Sequence, residues 1–270
     1  MRHLIIKLLV PFAALTILSC SPNRKQQAEH IYDEAIDAFS AKKMGVAKSL
    51  VDSLKASYAD IPHVYREARD LEKIIARYEI ERTVAFLDSS LEQAELAQRE
   101  LMKDMVVDDP DASIPVYIAR AQQAWRSFNR CYIKARTDAN GLFSLSSNYV
   151  GELPIHHDHI EVRSGDDFLT LPVVSDGAFK NTFKNDEYVW ETLRYEGQEA
   201  ADLARFIANF QPERIAVDYC GSRSHYLSVM TEADKQAIQQ VWNLSCSFRE
   251  SRKIRSMLRS ARIEMNRHSN

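Results

Sequence analysis

The sequence predicts an α+β fold, with helices in the first half of the chain and a small antiparallel β-domain in most of the second. Three observations predict it. Apolar residues recur every three or four positions through residues 26–109, as in helices. Over residues 130–230 they recur mostly at every second position, between turns marked by glycine. A long helical pattern then occupies residues 231–270.

The first nineteen residues have the features of a lipoprotein signal peptide. Two basic residues precede an apolar run over residues 8–18, which is about half of the ~20 residues that a spanning helix needs. The run ends in Ile17-Leu18-Ser19-Cys20, the aliphatic, variable, small, Cys pattern of a lipobox. We therefore expect cleavage after residue 19, lipid attachment (diacylglyceryl and palmitate) at Cys20, and a short tether over residues 20–25.

The lipid on Cys20 would determine where the protein resides. One acyl chain holds a protein at a membrane only marginally, whereas two or three hold it firmly. Ser21 follows the cysteine instead of Asp, and no acidic run comes next. These features favour the periplasmic leaflet of the outer membrane as the address. The alternative is an ordinary secretory signal with a chance cysteine at the end of the apolar run.

The helical and coiled-coil-like domain is expected over residues 26–109. Two short amphipathic helices on either side of Gly45 predict a single helical hairpin, and Pro62 begins a third helix. From residue 64 to 105 the apolar positions alternate by four and three, which predicts one long helix with a narrow stripe. The stripe must pack on the hairpin, on the last helix, on a second copy or on a partner protein.

The β-domain is expected over residues 130–230, after a connector at 110–129 whose residues from 116 onward are ambiguous and could be helical. Asn140-Gly141 between two alternating segments predicts a β-hairpin. The expected strands are Cys131–Arg136, Leu142–Tyr149, Ile155–Arg163, Asp167–Val174, Glu187–Tyr195, Leu203–Phe210, Arg214–Cys220 and Ser224–Met230. The Leu203–Phe210 segment has a helical alternative over residues 199–208. Thr231 resembles the start of a capping box for the final helix.

Composition narrows the classes of function. The whole chain carries 35 Lys and Arg against 38 Asp and Glu, a charge of −3. A balance this close to zero argues against a dedicated nucleic-acid-binding protein. Beyond Cys20 the cysteines are Cys131, Cys220 and Cys246, an odd number in an oxidising compartment. A bridge between Cys131 and Cys220 and three unpaired thiols both remain possible.

A histidine cluster is the only feature of the sequence that suggests a metal site. If residues 155–163 form a regular strand, His157 and His159 share one face, a spacing that zinc can use. A third ligand would have to come from Asp166, Asp167 or His225. The simpler interpretation is a polar strand face, so we expect no metal and no other cofactor.

Nucleophilic catalysis finds little support in the sequence. The chain has no GxSxG motif of a serine hydrolase. Cys220 and His225 could suggest a thiol nucleophile and its base. Residues five apart lie on opposite faces of an unbroken strand, however, so we do not expect these two to meet.

The last helix carries a basic stripe. Arg252, Arg255, Arg259 and Arg262 recur every three or four residues and therefore share one side of a helix. They could contact anionic lipid headgroups, lipopolysaccharide phosphates or an acidic partner. The alternative is a solvated face that is partly neutralised by the acidic long helix.

Several segments resemble a group of uncharacterised Bacteroidota lipoproteins, some of which carry the name viral A-type inclusion protein. The segments are RCYIKARTDANGLFSLSSNYVG, PIHHDHIEVRSGDD and RIAVDYCGSRSHYLSVMTEADKQAI, followed by the helical tail. The resemblance covers most of the mature chain. It implies an α+β fold and a cell-envelope address, and it implies no known activity and no catalytic residues.

Together these features favour a non-enzymatic envelope lipoprotein that scaffolds or binds a partner at the periplasmic face of the outer membrane. The alternative is a metal-dependent hydrolase of an envelope polymer, which depends on the histidine cluster alone. A carrier of small apolar ligands would require a cavity in the β-domain.

Overall fold

A computed structural model describes residues 23–111, 113–123, 129–175, 177, 179–210 and 213–267. Over these residues it contains five α-helices and two antiparallel sheets, which confirms the α+β class. The predicted signal peptide and Cys20 lie outside the described residues. The chain forms two compact units, the first up to Arg82 together with the last residues from Met265, and the second over Thr83–Glu264.

The first unit contains the predicted helical hairpin. Helices α1 (Arg24–Ser40) and α2 (Met44–Ser57) pack with the first part of α3, which spans Pro62–Met102. Their shared core is made of small and aliphatic side chains: Ala28, Ala35, Ala38, Ala47, Val51, Leu54, Val64, Ala68, Leu71 and Ile75. The last four of these belong to the predicted apolar stripe, so its first part packs on the hairpin.

The helical half ends earlier than the sequence pattern predicts. Helix α3 ends at Met102, and strand β1 (Met105–Asp109) follows directly. The expectation of helix up to residue 109 is therefore wrong at its end, because β1 pairs with β2 (Val116–Ala119) and takes Met105 into the core of the β-domain. Strand β2 and the short 3₁₀ helix Arg120–Gln122 replace the helix considered for the first part of this connector.

The second unit is built on two sheets whose paired strands are all antiparallel. The remaining strands are β3 (Tyr132–Asp138), β4 (Phe143–Gly151), β5 (His157–Ser164), β6 (Asp167–Thr170), β7 (Lys180–Lys184), β8 (Val189–Glu196), β9 (Ala216–Gly221) and β10 (His225–Val229). The first sheet has the order β1-β2-β3-β4-β8-β7, and the second has the order β10-β9-β5-β6. Strand β7 was not predicted, and β6 is shorter than expected.

The remaining helices are α4 (Gly197–Asn209) and α5 (Glu232–Arg267), and α5 belongs to the second unit up to Glu264. The predicted strand Leu203–Phe210 is wrong and its helical alternative over residues 199–208 is confirmed, because this segment lies largely within α4. Residues Ala200, Leu203, Ala204 and Ile207 are buried at helical spacing, so one face of α4 enters the core. That core also takes Ile133 and Leu145 from the first sheet, Ile160 and Val217 from the second, and Ala237, Val241, Leu244 and Phe248 from α5.

Among the described helices, none is both long enough and apolar enough to cross a bilayer.

Candidate functional site

A groove of about 620 Å³ lies on the second unit, between the β3–β4 turn and helix α5. This volume falls within the ~300–1,000 Å³ of small-molecule sites. Its described lining residues are Asn140, Gly141, Leu142, Phe143, Gly197, Trp242, Arg249, Arg252, Lys253 and Ser256. We call it the basic groove.

The β3–β4 turn forms one wall and is fixed in place by hydrogen bonds. The Asp138 carboxylate accepts hydrogen bonds from the backbone N–H groups of Asn140 (2.9 Å) and Leu142 (2.8 Å). The Ser245 hydroxyl of α5 donates to the carbonyl oxygen of Gly141 (3.0 Å). Gly141 has φ +82°, and a Cβ there would lie 2.7 Å from Cγ of Arg249. Glycine therefore allows both the predicted Asn-Gly turn and its close approach to α5.

The groove has an aromatic base. The rings of Phe143 and Trp242 meet edge to face, with centroids 4.9 Å apart. The Arg249 guanidinium carbon lies 5.1 Å from the centroid of the Trp242 ring, within the range of a cation–π contact. Leu142 is 51% exposed at the turn. An apolar surface therefore continues from the core of the unit to solvent.

Three cations lie over this apolar surface. Arg249, Arg252 and Lys253 lie within five positions of α5, and all three are exposed. The described lining contains no carboxylate, and no ion pair forms between Arg252 or Lys253 and another described residue. Arg249 is held at the groove by its contact with Trp242 and by a 3.5 Å bond to the Gly141 carbonyl. The groove therefore presents positive charge next to apolar surface.

The predicted arginine stripe divides between two environments. Arg255 pairs with Glu95 of α3 (Nη2–Oε1 2.7 Å), and Arg262 pairs with Asp88 of α3 (2.8 and 3.1 Å). Arg252 lines the basic groove, and Arg259 is exposed outside it. Partial neutralisation by the acidic long helix therefore applies to two of the four side chains.

The predicted histidine pair does not share a face. The pairing of β5 with β9 shifts by one residue between His157 and His159, which is a β-bulge. His157 is fully buried and lies 3.3 Å from the Ser147 hydroxyl, while the less buried His159 bonds to Asp158 (2.6 Å). The expectation of a shared face is wrong because it assumed a regular strand.

The electrostatics of His157 are those of a core residue. Burial lowers the pKa of its imidazole from 6.5 to about 4. Its backbone N–H donates to the buried Glu191 carboxylate (2.8 Å), which also accepts a hydrogen bond from the N–H of His156. The fold therefore keeps this imidazole neutral and packed, facing the core.

Cys220 and His225 lie opposite each other on paired strands, contrary to the expectation that they occupy opposite faces of one strand. The chain reverses after Gly221, so that His225 of β10 pairs directly with Cys220 of β9. Burial, together with the nearby Asp218 carboxylate, raises the pKa of the Cys220 thiol to about 11, and His225 contacts Asp218 (3.0 Å). The thiol is therefore protonated at neutral pH, which does not suit a nucleophile.

The other residues considered for disulfide or metal chemistry lie apart. Cys131, Cys220 and Cys246 are all free thiols, so the possible Cys131–Cys220 bridge is absent. Asp166 lies in the exposed turn between β5 and β6, and Asp167 is exposed at the start of β6. Within the described ranges, no three His, Cys, Asp or Glu side chains are arranged to hold a metal ion.

Most of the basic groove was not predicted. Its turn was, from Asn140-Gly141, and Arg252 was part of the predicted stripe. The contributions of Trp242, Arg249 and Lys253 depend on a contact between the turn and α5, in which Gly141 and Ser245 are 104 positions apart. The spacing of residues within the turn or within α5 gives no information about such a contact.

Comparison with protein-family models, with curated proteins and with solved structures finds no match to this chain.

Proposed function

We propose that this chain is a lipid-anchored protein of the cell envelope that binds an anionic partner through its basic groove, without catalytic activity of its own. The proposed anchor is acylated Cys20, and the proposed address is the periplasmic face of the outer membrane. The resemblance to Bacteroidota lipoproteins supports the address. The observation that carries the binding role is the set of three cations over an apolar base, with no carboxylate in the described lining.

The groove is better suited to binding than to catalysis. A guanidinium donates hydrogen bonds in a fixed geometry but does not exchange protons near neutral pH, so Arg249 and Arg252 are poor general acids or bases. Ser256 is the only hydroxyl among the described lining residues, and none of the lining side chains is a His, Asp or Glu that could activate it. The lining therefore favours recognition of negative charge.

The alternative function, a metal-dependent hydrolase, has weaker support. It depended on His157 and His159 acting together, and the bulge in β5 separates them. Metal analysis of the purified protein, with His157→Ala as the comparison, would still test it directly. A stoichiometric metal that is lost in that variant would favour the enzyme over the binding protein.

The anchor is tested by mass spectrometry of the native amino terminus. We expect Cys20 as the first residue, carrying a diacylglyceryl group and a further acyl chain. Cys20→Ala should give a soluble or unprocessed chain, because without the thiol the chain cannot receive the acyl groups that hold a lipoprotein firmly at a bilayer. An unmodified first residue, or a fully processed Cys20→Ala chain that still fractionates with membranes after a wash in high salt, would overturn the anchor.

The binding role is tested with polyphosphate as a simple soluble polyanion. We expect Arg252→Gln with Lys253→Gln to weaken binding by about tenfold, since each charge-assisted contact contributes more than a neutral one. Arg255→Gln with Arg259→Gln is the matched control, because it removes the same charge from α5 outside the groove. Equal weakening in both double variants would show that the groove has no special role.

A further inference from the structure

We propose that the basic groove binds the phosphate headgroup of an anionic phospholipid, with the glycerol and first acyl carbons against Leu142 and Trp242. The second unit would then dock on the bilayer through its own surface as well as through the lipid at Cys20. This inference rests on the proposed function for the location of the protein, and it names the ligand that the groove would take there.

The groove offers two kinds of surface that match the two parts of a phospholipid. Arg252 and Lys253 supply charged donors for phosphate oxygens. Directly beside them, Phe143 and Trp242 form an aromatic base, and half-exposed Leu142 extends it to solvent. A purely ionic partner, such as inorganic phosphate, would leave this apolar surface without a counterpart. An amphiphilic anion uses both surfaces.

The exposed side of α5 continues the same pattern beyond the groove. Met257 is four residues after Lys253 and Ile263 is seven after Ser256, so each lies on the same side of the helix as a groove residue. Met257 is 48% exposed and Ile263 is 50% exposed. Next to Arg and Lys, these apolar side chains extend along α5 the two kinds of surface that the groove presents.

The proposed anchor would make even weak headgroup binding effective. A protein tethered to a leaflet meets its headgroups at a high effective concentration, so no tight site is required. Each Lys or Arg close to an anionic surface contributes roughly a fivefold gain in binding. The three cations of the groove act on the same ligand, which favours the docked state of the tethered body.

Chemical acetylation of Lys253, read by mass spectrometry, tests the inference on the natively processed full chain. The protein is placed with vesicles of phosphatidylcholine alone, or of phosphatidylcholine mixed with phosphatidylglycerol. We expect phosphatidylglycerol to slow acetylation of Lys253 roughly fivefold, in line with one cation held at an anionic surface. The exposed Lys42 of the first unit serves as the internal reference, and its reaction rate should not change.

Two variants assign the protection to the groove, and a third controls for charge. Arg252→Gln and Leu142→Ser should each reduce the protection of Lys253, the first through the phosphate and the second through the apolar part of the lipid. Arg255→Gln removes the same charge from the side of α5 that pairs with Glu95 of α3, outside the groove, and should leave the protection unchanged. All three residues are exposed, and circular dichroism checks that each variant keeps its helical content.

Soluble anions distinguish the lipid from other ligands. In phosphatidylcholine vesicles, inorganic phosphate or polyglutamate is added at the charge concentration of the phosphatidylglycerol. Equal protection by inorganic phosphate would show a plain anion site and overturn the inference. Protection by polyglutamate but not by phosphatidylglycerol would instead assign the groove to an acidic peptide, and no protection by any anion would end the idea.

The two proposals fail in different ways. Vesicles containing phosphatidylglycerol can protect Lys253 whether or not Cys20 carries lipid. An unmodified amino terminus with protected Lys253 would reject the anchor and keep the groove. An acylated Cys20 with Lys253 unprotected would keep the anchor and reject lipid binding in the groove.

Discussion

The start of strand β5 and the second half of helix α5 are both rich in titratable side chains, and the fold uses them in opposite ways. At β5, His157 is buried against Ser147, and its backbone is held by Glu191. Along α5, Arg252 and Lys253 remain exposed at the groove. The first region contributes its polar groups to the core, and the second leaves its charges available to a ligand.

The difference shows what a run of titratable residues means in each setting. A buried imidazole with few polar contacts stays neutral, because moving its protonated form out of water costs more free energy than those contacts supply. An exposed guanidinium keeps its charge and retains most of its hydrogen-bonding capacity. Clustering in sequence is therefore a weak guide to a site, and the exposed fraction of each side chain is a stronger one.

The largest expected effect tests the buried side of this comparison through pH. The folded-state pKa of His157 is about 4 against 6.5 for the free side chain, so between these values the unfolded chain binds a proton that the folded chain does not. Stability from this residue is complete above pH 6.5 and is lost as the pH falls towards 4. The loss is about 3 kcal/mol.

Urea unfolding from pH 7 to pH 4 measures the effect. His157→Gln should lose the part of the pH dependence that lies between 6.5 and 4, while the exposed His30→Gln should keep it. If the slope of unfolding free energy against pH were the same in the wild type, His157→Gln and His30→Gln, His157 would have to be accessible to protons in the folded state.

Regular periodicity explains which features the sequence could predict. The first hairpin, α3, α5, the Asn140-Gly141 turn and most strands follow from local spacing. The stripe of α3 did not specify its partner; Val64 and Leu71 pack in the core of the first unit, and Leu101 packs against the core of the second. In these elements, each residue faces the way that a regular helix or strand requires.

Irregular backbone explains most of what the sequence could not predict. One extra residue in β5 places His157 and His159 on opposite faces of the strand. A tight turn after Gly221 brings His225 opposite Cys220. A Cβ at Gly221 would lie 2.2 Å from the carbonyl oxygen of Ile155, so glycine is needed there for close approach. Neither irregularity changes the hydrophobic pattern enough to be read from one sequence.

The next effect tests the wall of the groove. Gly141→Ala places a Cβ against Cγ of Arg249 (2.7 Å) and the carbonyl oxygen of Ser245 (2.9 Å), at a φ of +82°. We expect a loss of about 2 kcal/mol in unfolding free energy from strain and clash together. Binding of phosphatidylglycerol should weaken as well, because the turn must move away from α5.

Gly165→Ala is the matched comparison for that variant. Gly165 also has a positive φ, +58°, but its Cβ would meet nothing within 4 Å. It should show the backbone strain alone, about 1 kcal/mol, with lipid binding unchanged. Equal losses for the two variants would mean that the turn is not held against α5 in the way described.

The smallest effect concerns the arginines that the fold does pair. Arg255 with Glu95 and Arg262 with Asp88 join α5 to α3, but the four side chains are between 37% and 54% exposed. Solvent screens such pairs, so a double-mutant cycle on Arg255→Gln and Glu95→Gln should give about 0.5 kcal/mol, falling further in high salt. The same Arg255→Gln change should leave phosphatidylglycerol binding intact. A coupling several times larger, or a loss of lipid binding, would mean that the paired and the groove-facing sides of α5 work as one surface, and the contrast between them would fail.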